Sequence, residues 1–213
     1  MTTATTVVTL ARFEQGLSWA DFLVSATVNR DKFEQNYSNS VLTGEDMSFF
    51  RKTSELPNGP RKLLVIAEAW CGDVYRELPT AIHIAESAGM GLRIFLRDEN
   101  PDIMGEFLSN NGKSRAIPVF VFYTADTRYI THFTERSASA HAGLALAIEQ
   151  AKLKLNLPAS ASFGNLPDPE RQLFLQEVIS RIEPHADQWR RDAVREIRQR
   201  LATALHLPDA SYR

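Results

Sequence analysis

Residues 62–79 of this chain read KLLVIAEAWCGDVYRELP and contain the clearest structural pattern in the sequence. The apolar run at residues 63–67 is short and partly β-branched, which is typical of a strand buried on both faces. After it, apolar side chains recur at three- and four-residue spacing, as on one face of a helix; they are Tyr75, Leu78, Ile82 and Ala85. This order predicts a buried strand followed directly by a helix.

The single cysteine of the 213 residues, Cys71, lies at this change from strand to helix. A thiol at a helix N-terminus is close to the positive end of the helix dipole and to the unpaired amides of the first turn. Both favour the thiolate, which is the form that reacts as a nucleophile. The sequence therefore predicts Cys71 as the candidate catalytic residue, with an alternative in which it is a partly buried, unreactive side chain.

The composition is that of one globular unit with a substantial core, at 44% hydrophobic and 23% charged residues. A net charge of −2 and a pI of about 6.2 argue against nucleic acid as a partner, because nucleic-acid-binding domains are usually strongly basic. No run of about 18 apolar residues occurs, so no membrane partner is expected. With no signal-like N-terminus and one cysteine, the sequence predicts a cytoplasmic protein.

The cysteine and histidine content gives no metal-binding pattern. A lone cysteine excludes both an internal disulfide and a two-cysteine metal clamp. The histidines show no paired spacing typical of zinc ligands; they are His83, His132, His141, His185 and His206. We therefore expect no metal site and no resident cofactor, and only an external thiol such as glutathione as a co-reactant.

The chain around the central stretch predicts further strands and helices. Residues 10–60 predict several short helices, preceded by a frayed tail at residues 1–9. The later elements are a parallel second strand at 92–96, a short helix from Pro101, an antiparallel hairpin of 119–123 with 128–133, and a helix at 138–155. The predicted division is a helical N-terminal extension (1–60), a core (61–157) and a helical C-terminal extension (158–213).

The C-terminal extension predicts two helices separated by Pro184. The second helix has an apolar face at near-heptad spacing, formed by Val194, Ile197, Leu201 and Leu205. Arginines surround this face, but acidic residues are interleaved with them, which indicates a solvated salt-bridged surface and not a nucleic-acid site. Two placements stay open for the apolar face: packing on the sheet, or a homodimer through this helix.

Three short motifs follow one another along the chain: Trp70-Cys71-Gly72, then Pro79, then Ile117-Pro118 just before a strand. They resemble the start of the Trp-Cys-Gly-Pro-Cys motif of the thioredoxin family, the kinking proline of its active-site helix, and its cis-proline loop beside the sulfur. The likeness covers residues 61–150 and looks most like bacterial thioredoxin-like proteins with a Trp-Cys-Gly-Asp variant. It implies an α/β thioredoxin-like fold, a mixed central sheet flanked by helices, here with helical extensions at both ends.

The departures from the family pattern concern the second sulfur and the charges beside the first. Val74 stands where a dithiol thioredoxin has its resolving cysteine, and Val65 stands where the family has a buried acidic residue. Valine cannot attack a mixed disulfide, so release needs a thiol from outside the chain. Asp73 opposes the helix dipole, and Arg76, one turn on, is the candidate to offset it; the sequence leaves open which influence prevails.

Two function classes follow from these residues. The first is a monothiol redox protein, in which Cys71 exchanges with an unknown protein or low-molecular-weight thiol. The second is a noncatalytic binding module that keeps the same groove. The resemblance implies that the groove is formed by Trp70, Gly72, Asp73, Ile117 and Pro118.

Two enzyme classes related to this fold are less favoured. A glutathione-transferase-like enzyme is suggested by Ile117-Pro118 and by the helical C-terminal segment. The 60 residues before the first strand are atypical of that class. A single-cysteine peroxidase is disfavoured because Glu68 stands where that family has a threonine.

Overall fold

The computed structural model describes residues 6–207. Within this range the chain forms two compact units. The first contains the residues up to 136 together with those from 194 onward, and the second contains residues 137–193. The three-segment division predicted from the sequence stays a prediction.

Four short helices precede the sheet, in the region where the sequence predicts them. They are α1 (Leu10–Phe13), α2 (Trp19–Ser25), α3 (Arg30–Asn39) and α4 (Gly44–Glu55). Capping boxes begin two of them, Ser18 with Asp21 at α2 and Thr43 with Asp46 at α4. In each box the hydroxyl accepts a hydrogen bond from a first-turn amide, and the carboxylate accepts one from the amide of the capping residue. These side chains satisfy amides that the helix itself leaves unpaired.

Aromatic rings hold α2 and α3 together. Phe22 and Phe33 are fully buried, and their ring centroids lie 5.3 Å apart in an edge-to-face arrangement. Trp19 stacks on Phe22 at 6.1 Å and meets Phe33 edge-on at 6.0 Å. Such aromatic pairs contribute stability beyond the area that they bury. The aromatic residues of this segment therefore form a packing face.

The central sheet has four strands: β1 (Lys62–Ala67), β2 (Gly91–Leu96), β3 (Val119–Tyr123) and β4 (Tyr129–Thr134). Their order is β2-β1-β3-β4. Strands β1 and β2 are parallel, and β3 pairs antiparallel with both β1 and β4. Residues 63–67 are completely buried, as predicted for a central strand. The mixed sheet and the β3–β4 hairpin predicted from the sequence are therefore confirmed.

Strand β2 lies at one edge of the sheet, and the N-terminal segment covers part of that edge. Leu17 forms an isolated antiparallel bridge with Ile94, in which each amide donates to the carbonyl of the other residue at 2.8 Å. Next to it, a Cβ on Gly16 would stand only 2.5 Å from Cε2 of Phe95. Glycine therefore permits the close approach of the chain to this strand.

The predicted frayed tail falls partly outside the described residues, since residues 1–5 are not described. For residues 6–9 the prediction is wrong. Val8 is 1% exposed, the amide of Val7 donates to Glu106 Oε1 at 2.5 Å, and the hydroxyl of Thr6 donates to Glu106 Oε2 at 2.7 Å. A carboxylate about 100 positions away in sequence holds this segment, so no local sequence pattern signals it.

Helix α5 (Gly72–Ala88) connects the two parallel strands, with Pro79 inside it. It ends at Gly89, which has φ +64°, a left-handed conformation that favours glycine. After β2, helix α6 (Pro101–Gly105) begins with Pro101 at its first turn, as predicted. The parallel pair with its helical crossover places the start of α5 at the carboxyl end of β1.

The second unit contains α7 (Ala138–Lys154), α8 (Asp168–Ile182), a 3-10 turn (Glu183–His185) and the first residues of α9 (Ala186–Ala204). Its core is a cluster of buried apolar side chains: Ala147, Ala151, Ala161, Leu166, Phe174, Val178 and Ile182. Trp189 and four other half-buried apolar residues pack against this cluster. This unit therefore has a small hydrophobic core of its own.

The later residues of α9 belong to the first unit. Val194, Ile197 and Leu201 are at most 5% exposed in the single chain. Nearby, the Arg198 guanidinium donates to Asp46 and to Glu45 at the start of α4, at 2.8 Å and 2.7 Å. This part of the apolar face is thus buried within the chain. A homodimer through this helix stays a prediction, and it would have to use a different face of the helix.

Along residues 6–207, no helix combines the length and the hydrophobicity that a bilayer crossing requires. Over the same range, no group of three or more histidine, cysteine, aspartate or glutamate side chains is placed to hold a metal ion.

Candidate functional site

The site is built around Cys71, the N-cap residue of α5. Strand β1 ends at Ala67 and the helix begins at Gly72, so the thiol stands at the change from strand to helix. The carbonyl of Cys71 accepts a hydrogen bond from the amide of Tyr75 at 3.3 Å, and its own amide donates to the carbonyl of Glu68 at 3.1 Å. These two bonds fix the backbone of Cys71, and its side chain is half-buried.

The loop before β3 forms one side of the site. The thiol of Cys71 donates to the carbonyl of Ile117 over an Sγ–O distance of 3.8 Å. The Ile117–Pro118 peptide bond is cis. The side chains of both residues are buried, so this loop presents its backbone to the sulfur.

Charges and burial act on the thiol in opposite directions. Burial raises the pKa of Cys71 above its ordinary value, and the Asp73 carboxylate raises this pKa further. The amides of Val74 and Asp73 and the guanidinium of Arg136 lower the pKa, but by less in total. The thiol is therefore mainly protonated at neutral pH, since burial outweighs the helix N-terminus.

An ion pair between Asp73 and Arg136 lies next to the sulfur. Arg136 Nε donates to Asp73 Oδ1 at 3.2 Å, and its Nη2 makes a second, shorter bond to Oδ2. The same Nη2 also contacts Glu135 Oε1 at 2.8 Å. Both partners are largely buried, with side chains 13% and 23% exposed. Arg136, and not the expected Arg76, is the counter-ion of Asp73.

The backbone explains how Arg136 reaches this position. Glu135 follows β4 in a left-handed conformation with φ +68°, and its amide donates to the carbonyl of Pro118 at 2.7 Å. This bond brings the end of β4 to the loop before β3. Arg136 and Asp73 are 63 residues apart in sequence, so no local pattern predicts their pairing.

Trp70 forms an exposed surface beside Cys71. Its side chain is 54% exposed, and the Arg97 guanidinium lies over the ring at 4.9 Å. Arg97 is held by Asp98 at 2.9 Å, and Arg115 contacts the same carboxylate at 3.6 Å. An exposed indole with one face covered by a cation is suited to contact a partner.

The two valines that stand in place of the resolving cysteine and of the buried acidic residue are both completely buried. Val74 is in the first turn of α5, and Val65 is in β1. Neither side chain has a titratable group, so neither can resolve a mixed disulfide or transfer a proton. The site therefore has one sulfur and no internal group to release a partner from it.

A family model described as thioredoxin matches residues 16–152, which is more than half of the chain. The chain belongs to the thioredoxin family. The match begins before α2, so the helical N-terminal segment of this thioredoxin-family protein is largely included in it.

Comparison with solved structures gives two similar folds. One is the crystal structure of an HIV epitope-scaffold, with 14% identity and a TM-score of 0.57, covering 92% of this chain and 99% of that one. The other is a protein of unknown function from Pseudomonas aeruginosa, with 16% identity and a TM-score of 0.51, covering 84% and 99%. None of the curated proteins compared with the chain matches it. These structures support the fold of the thioredoxin-family protein and carry no statement about its activity.

Asp73→Asn is expected to make the thiol of this thioredoxin-family protein more reactive. The substitution removes a carboxylate that raises the pKa of Cys71 and leaves the Arg136 charge less neutralised. We expect alkylation by iodoacetamide at pH 7 to become about three- to tenfold faster, an order-of-magnitude effect of one nearby charge. Asp126→Asn is the matched control, since it also removes an arginine-paired aspartate, in the hairpin turn. An unchanged rate for Asp73→Asn would contradict this account of the site.

Proposed function

We propose that this protein is a monothiol thiol–disulfide exchange protein, in which Cys71 is the nucleophile. The observation that carries the proposal is the setting of Sγ, which has the first-turn amides of α5, Arg136 and the backbone carbonyl of Ile117 around it. The exposed ring of Trp70 supplies a neighbouring contact surface. Gly72 adds no side chain between the sulfur and a partner.

The reaction consists of two exchanges. In the first, the Cys71 thiolate attacks one sulfur of a partner disulfide; the partner S–S bond breaks, a mixed disulfide forms, and the other sulfur leaves as a thiolate that takes up a proton. In the second, the thiolate of an external thiol attacks the mixed disulfide. The Cys71 thiolate is then released, and the partner remains bonded to the external thiol.

The raised pKa of Cys71 has two consequences for this chemistry. A small thiolate fraction slows the first exchange at neutral pH, although the thiolate that does form is intrinsically more nucleophilic. A thiol of high pKa is also a poor leaving group, so attack that expels Cys71 is slow. The mixed disulfide is therefore long-lived unless a second thiol is abundant, as it is in a reducing compartment such as the cytoplasm.

The pH dependence of adduct formation tests the proposal. Below the pKa the thiolate fraction grows about tenfold per pH unit, and because this pKa is raised, the rate should still increase above about pH 8.5, the ordinary thiol value. We expect this profile for the folded protein with oxidised glutathione between pH 6 and 10, followed by intact-mass spectrometry. The adduct should be absent from Cys71→Ser and reversed by added thiol. A rate of adduct formation that stops increasing below pH 7 would show that the pKa of Cys71 is not raised.

A second candidate function is a noncatalytic binding module that uses the same groove. The observation that favours it is the burial of the thiol, together with the exposed Trp70 braced by Arg97. The experiment above separates the two candidates. If Cys71 forms an adduct only after the protein unfolds, the exchange function is wrong and the binding function is favoured.

A further inference from the structure

Two cationic side chains from different helices converge on one aromatic ring next to the thiol. Nζ of Lys32, on α3, lies 5.0 Å from the ring centroid of Tyr75, and the Arg76 guanidinium carbon, on α5, lies 5.0 Å from the same centroid. Contacts of this kind hold a cation in place without neutralising its charge. The ring of Tyr75 is itself braced by Phe33, which is fully buried and meets it edge-on at 6.3 Å.

These groups border the residue that follows Cys71. A Cβ placed on Gly72 would stand 3.3 Å from Nη1 of Arg76 and 3.6 Å from the hydroxyl oxygen of Tyr75. The absence of a side chain at Gly72 leaves this space open. The Arg76 guanidinium and the Tyr75 hydroxyl therefore border the open position next to Cys71 in the chain.

Lys32 and Arg76 differ from the other cations around the site in their ion pairing. Arg136 is paired with Asp73 and Glu135, and Arg97 is paired with Asp98. For Lys32 and Arg76, no carboxylate oxygen in the described part of the chain lies within 4 Å. Their positive charges are thus available to an incoming anion.

We propose that Lys32, Arg76 and the Tyr75 hydroxyl bind a carboxylate of the molecule that exchanges with Cys71. The inference rests on the proposed exchange function and names its substrate class: a low-molecular-weight disulfide that carries carboxylates close to its sulfurs. A patch of two cations and one hydroxyl matches one or two carboxylates, which a small molecule supplies. Arginine and a hydroxyl donor together satisfy the acceptor oxygens of such a group.

Three small disulfides of similar size and different charge test this inference. They are dithiodipropionate with two negative charges, hydroxyethyl disulfide with none, and cystamine with two positive charges. Each rate is divided by the rate of the same disulfide with a small neutral thiol in high salt, so that differences between the leaving-group thiols cancel. On this scale we expect dithiodipropionate to form the Cys71 adduct about tenfold faster than cystamine at pH 8 and low salt, as expected when two screened charge pairs change sign. The normalised ratio should fall towards one in 1 M salt, where the Debye length is about 3 Å.

Two double variants make the comparison specific. Lys32→Gln with Arg76→Gln should reduce the rate ratio of the anionic to the cationic disulfide about tenfold. Arg51→Gln with Lys52→Gln is the matched control, since it removes the same charges from exposed positions on α4 and should preserve the ratio. Because both probes react with the same thiolate, the ratio at one pH does not depend on the pKa of Cys71.

The outcomes separate this inference from the function on which it rests. If none of the three disulfides, including the neutral one, reacts with the folded protein, the exchange function is wrong. If hydroxyethyl disulfide reacts but the three normalised rates are equal, or the ratio is the same in both double variants, the carboxylate inference is wrong and the exchange function stands.

Discussion

Replacing Val74 with cysteine is expected to shorten the lifetime of the Cys71 mixed disulfide at least about 100-fold relative to release by millimolar external thiol. The two residues are three positions apart at the start of α5, where neighbouring side chains lie about 5–6 Å apart. A disulfide spans Cβ atoms about 3.5–4.5 Å apart, so a small shift of the first turn together with side-chain rotation brings the two sulfurs within bonding distance. The introduced thiol would attack Sγ of Cys71, close an internal disulfide and release the partner as a thiol.

To measure this faster release, the glutathione adduct of each protein is isolated and left without added thiol. The appearance of free glutathione is then followed over time. Val74→Cys should release glutathione and leave a product two hydrogens lighter than its reduced form, while the protein with Val74 retains its adduct. Val74→Ser is the matched control, since serine differs from cysteine only in having oxygen in place of sulfur and so has no thiol. Retention of the adduct by Val74→Cys, in a protein with native circular dichroism, would show that position 74 cannot reach the sulfur.

Phe33→Ala is expected to lower the free energy of unfolding by about 3–5 kcal/mol, the usual cost of removing a buried phenyl ring. Phe33 is completely buried and contacts the rings of Trp19, Phe22 and Tyr75 at centroid distances of 5.3 to 6.3 Å. The three neighbouring rings would lose their contacts with the phenyl group and would border the remaining cavity. The effect should be larger than that of any surface substitution, since those usually stay within about 0.5 kcal/mol.

Urea unfolding followed by circular dichroism measures this loss. Val24→Ala is the control, because Val24 is on α2 in the same helical segment but is 78% exposed. We expect its unfolding midpoint to be nearly unchanged. A loss below about 1 kcal/mol for Phe33→Ala would mean that the aromatic cluster contributes little to the stability of the first unit.

The elements that position the site were predictable because their signals are local. The run at residues 63–67 has the length and composition of a central strand, and the helical spacing from Tyr75 onward fixes the start of α5. Gly89 after α5, Pro101 at the start of α6 and the turn of the β3–β4 hairpin are likewise short-range signals. Together these determine where Cys71 stands relative to β1 and α5.

The electrostatic environment of the thiol was not predictable, because it depends on contacts between distant residues. The sequence predicts Asp73 as a charge near the sulfur and offers Arg76, one turn away, as the candidate to offset it. In the fold Arg76 lies over Tyr75, and Arg136 arrives from the end of β4. The burial that raises the pKa of Cys71 is also a property of the packed site and not of the helix start alone.

The bridge between Leu17 and Ile94 has a consequence beyond packing. An open strand edge is a template to which a second polypeptide can add, and this is a common beginning of aggregation. Leu17 already uses both the amide and the carbonyl of Ile94, so an incoming strand cannot pair along the full length of β2. The helical segment before the sheet therefore also protects the protein against self-association through its β2 edge.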